Sequence, residues 1–202
     1  MSSKDISAKS LVSFETMGFK AGEYIAKLHP KGSAEVEVAW FPGPPGAGWV
    51  EAGNKGFNHA IKRAQERCDK IRRHREGSAA KTGRGRAPGQ PEYQIYCRHF
   101  SEPAVQLLRE RNLSDKIKVI AYYFTPGVYE NIKAGRVMAA PTDSAVVQGR
   151  VSIDQAVRIL EGKPYLKHVG PKIYVIDKAN INSFDYASSL APADWKPIFT
   201  VN

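Results

Sequence analysis

Residues 118–160, KVIAYYFTPGVYENIKAGRVMAAPTDSAVVQGRVSIDQAVRIL, decide the fold class. Lys118 to Tyr122 is an apolar, β-branched and aromatic run that reads as a strand, and Gly127 to Ala134 follows as a helix stopped by Gly135. Arg136 to Ala139 reads as a short strand, and Ser144 to Leu160 as a longer helix closed by Gly162. On that helix Val146, Ile153, Val157 and Leu160 recur at helical spacing and form a single apolar stripe, which needs a partner or stays exposed. Strands alternating with helices of roughly ten to twenty residues imply an α/β fold with a parallel sheet covered on both faces, and such sheets bind ligands at the carboxyl ends of their strands.

Working outward, Lys172 to Ile176 reads as a further strand, and the tail from Asn180 is loop-rich with Trp195, Ile198 and Phe199 as expected anchors. Toward the amino terminus, Met17, Ala21, Tyr24, Ile25 and Leu28 give Phe14 to His29 a helical period, ended by Pro30 and Gly32. Glu35 to Phe41 alternates charge with Val36, Val38 and Trp40, then breaks at Pro42-Gly43-Pro44-Pro45-Gly46, so a strand runs into a sharp loop. A helix from Trp49 to Lys62 follows. No apolar run reaches the roughly 18 residues that a spanning helix needs, so no membrane insertion is expected. Met1 to Lys9 is polar, without the apolar core of a secretion signal, which leaves a mature, truncated or cytoplasmic chain as the readings.

The net charge of +10 is concentrated. From Lys62 to Arg98 eleven basic residues face only Glu66, Asp69, Glu76 and Glu92, so this window holds +7 and the remaining 165 residues +3. Cys68 and Cys97 also fall in the window, leaving flanks that are nearly neutral and free of cysteine, a usage that suits an oxidising compartment. Arg72, Arg73 and Arg75 with Arg84-Gly85-Arg86 could hold phosphates and support salt-dependent nucleic-acid binding, but no aromatic stacking pattern accompanies them before Tyr93 and Tyr96. Cys68, His74, Cys97 and His99 lack the close ligand pairs of a zinc site, and His29, His59 and His168 lack a nucleophile or carboxylate motif beside them. The reading is a binder rather than an enzyme, with no metal and no cofactor.

The stretch Val38-Ala39-Trp40-Phe41-Pro42-Gly43-Pro44-Pro45-Gly46-Ala47-Gly48-Trp49, continuing to Gly56-Phe57, resembles the strand, loop and helix that open the second lobe of TorT-like periplasmic binding proteins. The run from Val119 to Tyr123 through Gly127-Val128-Tyr129, Ile132 to Val137 and Gln148-Gly149 is similar to the same family in order and spacing. The resemblance covers residues 7–62 and 104–200 and implies an incomplete type I periplasmic-binding-protein fold, mostly the second lobe. It implies three segments: 1–62 starting that lobe, 63–102 an aberrant basic and irregular insert, and 103–202 the remainder with the crossover helix and tail. In this reading a first lobe and a leader would precede Met1, so the product itself could stay cytoplasmic although the family is periplasmic. The basic insert lacks the strand, helix and strand expected there. Read one nucleotide out, residues 70–102 can encode an amphipathic helix and a strand, so a frameshift is the expected origin and impaired function its consequence.

What the resemblance implies for function is recognition of trimethylamine N-oxide and presentation of the liganded state to a TorS-like membrane sensor kinase, by cleft closure and without nucleic acid. A sugar or small-solute carrier of a transporter is the second reading. Four positions are placed at the cleft: Phe14, Trp49, Tyr123 and Asp143. A trimethylammonium-like group is drawn to aromatic faces by about 0.5–2 kcal/mol per ring, and an N-oxide oxygen needs donors. Tyr123 offers both ring and hydroxyl, or is a core tyrosine; Trp49 closes over ligand, or packs as a cap on its own lobe. Phe14 stands where relatives often have Trp, keeping a ring with a weaker quadrupole and no indole donor. Asp143 accepts a ligand hydrogen bond, caps the helix from Ser144, or does both.

Overall fold

The computed structural model describes residues 4–30, 33, 36–65, 71–75, 95–98, 101–192 and 194–196. Contacts divide the chain into two units: residues 13–142 with 173–183, and residues 1–12 with 143–172 and 184–202. The chain leaves the larger unit after residue 142 and returns to it at residue 173.

The larger unit is built on a four-stranded sheet of β2 (Val36–Phe41), β3 (Ile71–Arg75), β4 (Ile95–Arg98) and β5 (Lys118–Ala121), in the order β3-β2-β4-β5. All three pairings are parallel, with Val38 opposite Ile95 and Ile95 opposite Lys118. β2 is buried along its whole length, as expected of an inner strand covered on both faces. Two helices lie side by side, α1 (Phe14–Leu28) and α2 (Gly48–Gln65). Ser13 starts α1 by accepting the Thr16 amide on its hydroxyl at 3.0 Å. α1 buries Met17, Gly18, Ala21, Gly22 and Ile25. α3 (Glu102–Glu110) buries Ala104, Val105 and Leu108. α4 (Pro126–Lys133) is capped by Thr125, whose hydroxyl accepts from the Val128 amide at 3.1 Å and donates to Glu102 Oε1 at 2.6 Å. β6 (Ala139–Thr142) pairs antiparallel with β8 (Tyr174–Asp177) in the same unit.

Of the 63–102 segment expected to be irregular, the described residues are 63–65, 71–75, 95–98 and 101–102. α2 runs through to Gln65, β3 and β4 are paired strands of the central sheet, and α3 begins at Glu102. Ladder pairing is made by the backbone and is open to any residue with a free amide, so a strongly basic composition does not forbid it, and Ile71 and Ile95-Tyr96 carry high strand propensity. Residues 66–70, 76–94 and 99–100 lie outside the described residues. Boundaries shift elsewhere too. The strand expected at Arg136 to Ala139 is β6, three residues later, because Arg136 and Val137 complete the helix stop by donating their amides to the Asn131 carbonyl.

The smaller unit contains β1 (Lys9–Ser10), α5 (Ala145–Leu160), β7 (His168–Val169) and α6 (Tyr186–Ser189). β1 and β7 pair in parallel, and Ser10 and Gln148 exchange two hydrogen bonds of 3.1 and 2.9 Å that tie β1 to α5. α5 buries only Gln155, whose side-chain oxygen accepts the Leu166 amide at 2.7 Å. Ile153, Val157 and Leu160 stand 68%, 45% and 86% exposed, so the stripe read from the sequence is largely uncovered here. Trp195, expected as an anchor, is 60% exposed, and Ile198 and Phe199 lie outside the described residues. Among the described residues, no helix is long and apolar enough to cross a membrane.

Candidate functional site

The site grows from the close approach of α1 and α2. Gly18 on α1 lies against the Gly53 backbone, Gly22 against Ala60 and Phe57, and Gly56 on α2 against the Glu15 carbonyl, so that a methyl group at Gly18 or Gly56 would overlap main-chain atoms. Only hydrogen at these positions lets the helices come so near. Contact at this distance brings the first residues of the two helices together: the Phe14 and Trp49 rings are 6.3 Å apart, tilted by 50°.

A third ring closes the group. Tyr122, immediately after β5, lies 6.4 Å from Trp49 in a stacked arrangement at 14°, and 5.3 Å from Trp40 edge-on. Its hydroxyl is 3.2 Å from the Phe14 carbonyl and 3.5 Å from the Trp49 carbonyl. Beneath it Trp40 stacks on Phe57 at 4.0 Å and 8°, and the Trp40 indole donates to Asn54 Oδ1 at 2.6 Å. Phe14 and Trp49 are half-buried, whereas Trp40, Phe57 and Tyr122 are fully buried. The arrangement is a buried aromatic floor carrying two half-exposed rings, at the amino ends of α1 and α2 and beside the carboxyl end of β5.

Of the four positions expected from sequence, Phe14 and Trp49 come together. Tyr123 is half-buried in the same unit, and its neighbour Tyr122 is the tyrosine that joins the ring group. Sequence reading ends the strand at Tyr122 with Tyr123 following it; the strand stops at Ala121, and Tyr122 follows it as a fully buried ring. Asp143 belongs to the smaller unit and is buried, at 6% exposure. It is not the cap of α5: that helix starts at Ala145, and its cap position is Ser144, in left-handed geometry with φ 50° and without a side-chain cap bond. Among the described residues no group of three or more His, Cys, Asp or Glu is placed to hold a metal. An open cavity of about 290 Å³ in the smaller unit is lined by Ser7 to Ser10, Ser152, Gln155, Ala156 and Ile159, and none of the four expected positions lines it.

The same arrangement of elements is found in known proteins. The chain is 27% identical over 186 residues to the periplasmic protein TorT of Escherichia coli (strain K12), an alignment covering 91% of this chain and 54% of TorT. It superposes with a TM-score of 0.79 and 26% identity on a chain of the TorS sensor domain–TorT complex solved in the presence of TMAO, covering 96% of this chain and 66% of that one. The chain has the TorT-like periplasmic-binding-protein fold.

A solute-binding protein of an ABC transporter from Bradyrhizobium sp. BTAi1, solved with bound Bis-Tris, shares the fold at a TM-score of 0.85 and 48% identity, over 99% of this chain and 61% of that one. No protein-family model matches the chain. The chain spans about half the length of the curated relatives it matches. In this type I fold the β2–α2 connection, Pro42 to Ala47, is the loop that delivers Trp49 from the sheet to the helix start. Gly43 in it takes φ 136° and lies against the Trp49 ring, a conformation and a clearance that favour glycine.

Proposed function

We propose that this chain is the ligand-recognising part of a periplasmic solute-binding protein for small substituted amines, of which trimethylamine N-oxide is the member linked to its relatives, and that the liganded state is read by a TorS-like membrane sensor kinase. The observation that carries this reading is the Phe14, Trp49 and Tyr122 ring group at the amino ends of α1 and α2. Two half-exposed rings offer their negative faces to a methylated nitrogen centre. Two neighbouring helix starts offer partial positive charge to the N-oxide oxygen. Tyr123, in the same unit as the ring group, is the proposed polar contact, tested by Tyr123→Phe.

A second reading has its own support. The relative that shares 48% identity is a solute-binding protein of an ABC transporter, so the same ligand class could be delivered to a permease instead of a kinase. Bis-Tris is a polyhydroxylated tertiary amine that is cationic when protonated, and trimethylamine N-oxide is the N-oxide of a tertiary amine with a formally positive nitrogen, so a substituted cationic nitrogen is the ligand feature proposed for both downstream partners. Isothermal titration of the purified chain with trimethylamine N-oxide, Bis-Tris and a neutral hexose tests the ligand class. Saturable heat from either amine and none from the hexose is expected; saturation by the hexose alone would favour a sugar carrier and overturn the aromatic-box reading.

A further inference from the structure

We infer that Tyr122 is a positioning residue whose buried hydroxyl clamps the first turns of α1 and α2 together and thereby sets the spacing of the Phe14 and Trp49 rings. The inference rests on the ligand site proposed above. The Tyr122 side chain is fully buried. Its hydroxyl lies hard against Gly53 of α2, where any side chain would overlap it. At that depth a hydroxyl needs a protein acceptor, and it approaches the main-chain carbonyls of the ring-bearing residues themselves, Phe14 at 3.2 Å and Trp49 at 3.5 Å. A carbonyl oxygen carries two lone pairs, so it can accept this contact beside a helical bond.

First turns are where helices fray, since their amides lack intrahelical partners. A single donor shared between two first turns, on a ring that also stacks on Trp49, therefore fixes backbone and side chain together. Gly18, Gly22 and Gly56 bring the helices near, and Tyr122 locks the end that carries the rings. Tyr122 need not touch ligand to act in this way.

Tyr122→Phe keeps the ring and removes the donor. Two readouts separate the clamp from the ligand reading. The first, without ligand, is the near-ultraviolet circular dichroism of Trp49, isolated by subtracting the Trp49→Phe spectrum. The second is the affinity for trimethylamine N-oxide. The expected result is an unchanged far-ultraviolet spectrum, a weakened Trp49 signal and an affinity lower by about three- to tenfold, the loss that corresponds to one shared hydrogen bond. 4-Aminophenylalanine at position 122, which returns an N–H donor, is expected to restore both. A Tyr122→Phe protein with the wild-type Trp49 signal overturns the inference. A changed Trp49 signal in a chain that binds no amine at all leaves the clamp standing and overturns the ligand reading. Should Tyr122→Phe fail to fold, recovery of folding by 4-aminophenylalanine supports the clamp, and no recovery overturns it.

Discussion

Replacing Gly56 by alanine adds one methyl group, and its effect can be worked from the helix pair. The new Cβ overlaps the Glu15 carbonyl, which is main chain and cannot rotate away, so α1 and α2 must move apart. Overpacking of this kind costs about 1–3 kcal/mol, offset by the roughly 1 kcal/mol that alanine gains over glycine in a helix interior. Parting the helices also exposes some of Met17, Ala21 and Phe57, which are fully buried, so the cost falls in the upper part of that range. The net expectation is a loss of about 1–2 kcal/mol, or a melting point lower by about 2–8 °C. Gly149 is the internal control: it lies in the second turn of α5 with open space around it, so Gly149→Ala is expected to stabilise by about 0.5–1 kcal/mol. Urea unfolding followed by far-ultraviolet circular dichroism measures both. If Gly56→Ala proved as stable as the parent, or more so in step with Gly149→Ala, the tight α1–α2 crossing and the ring site built on it would be refuted.

Asn54→Ala strands the buried Trp40 indole N–H, which now donates at 2.6 Å, and is expected to cost about 1–3 kcal/mol in the same assay; a loss under half a kilocalorie would show that the bond is dispensable. The Tyr24 phenol is pushed up to about 12, first by burial, then by the charge and hydrogen bond of Asp177. Its folded value lies above the ordinary 10.0, so its contribution to stability is complete below pH 10 and is lost as pH rises toward 12, and Tyr24→Phe should flatten stability across that window. An unchanged alkaline profile in Tyr24→Phe would assign the loss to other groups. The encoding DNA read one nucleotide out across residues 70–102 is expected to yield an amphipathic helix and a strand; a translation interrupted by stop codons rules out the frameshift origin.

The α/β alternation was legible because periodicity and punctuation agree: Gly135 stops α4 with φ 72° and Gly162 ends α5 with φ 65°, and both read as stops in the sequence. Phe14 and Trp49 were placed together by the family resemblance, and their rings lie 6.3 Å apart in the structure. Tyr122 was not legible as a site residue, because a tyrosine in an apolar run looks the same whether it ends a strand or follows it, and only the stop at Ala121 separates the two cases. The signal that could have pointed to the ring pair is the glycine pattern, Gly18 and Gly22 on one helix with Gly53 and Gly56 on the other, which marks close helix contact rather than weak helix propensity. The two-residue strands β1 and β7 leave no periodicity to read, since strand alternation needs about four residues to show. β3 and β4 were hidden by charge: a window of +7 reads as a solvated insert, while the pairing that makes it part of the sheet is a property of the backbone.

The most direct test of the ring site is the indole N–H spectrum of the three tryptophans during titration with trimethylamine N-oxide, with the signals assigned through Trp49→Phe. Trp40 is buried and bonded to Asn54, Trp195 is 60% exposed in the smaller unit, and only Trp49 belongs to the half-buried ring pair. A saturable shift of the Trp49 signal, with Trp195 unmoved, is the predicted result; no shift at Trp49 at ligand concentrations that saturate the titration heat, or a shift confined to Trp195, would contradict it.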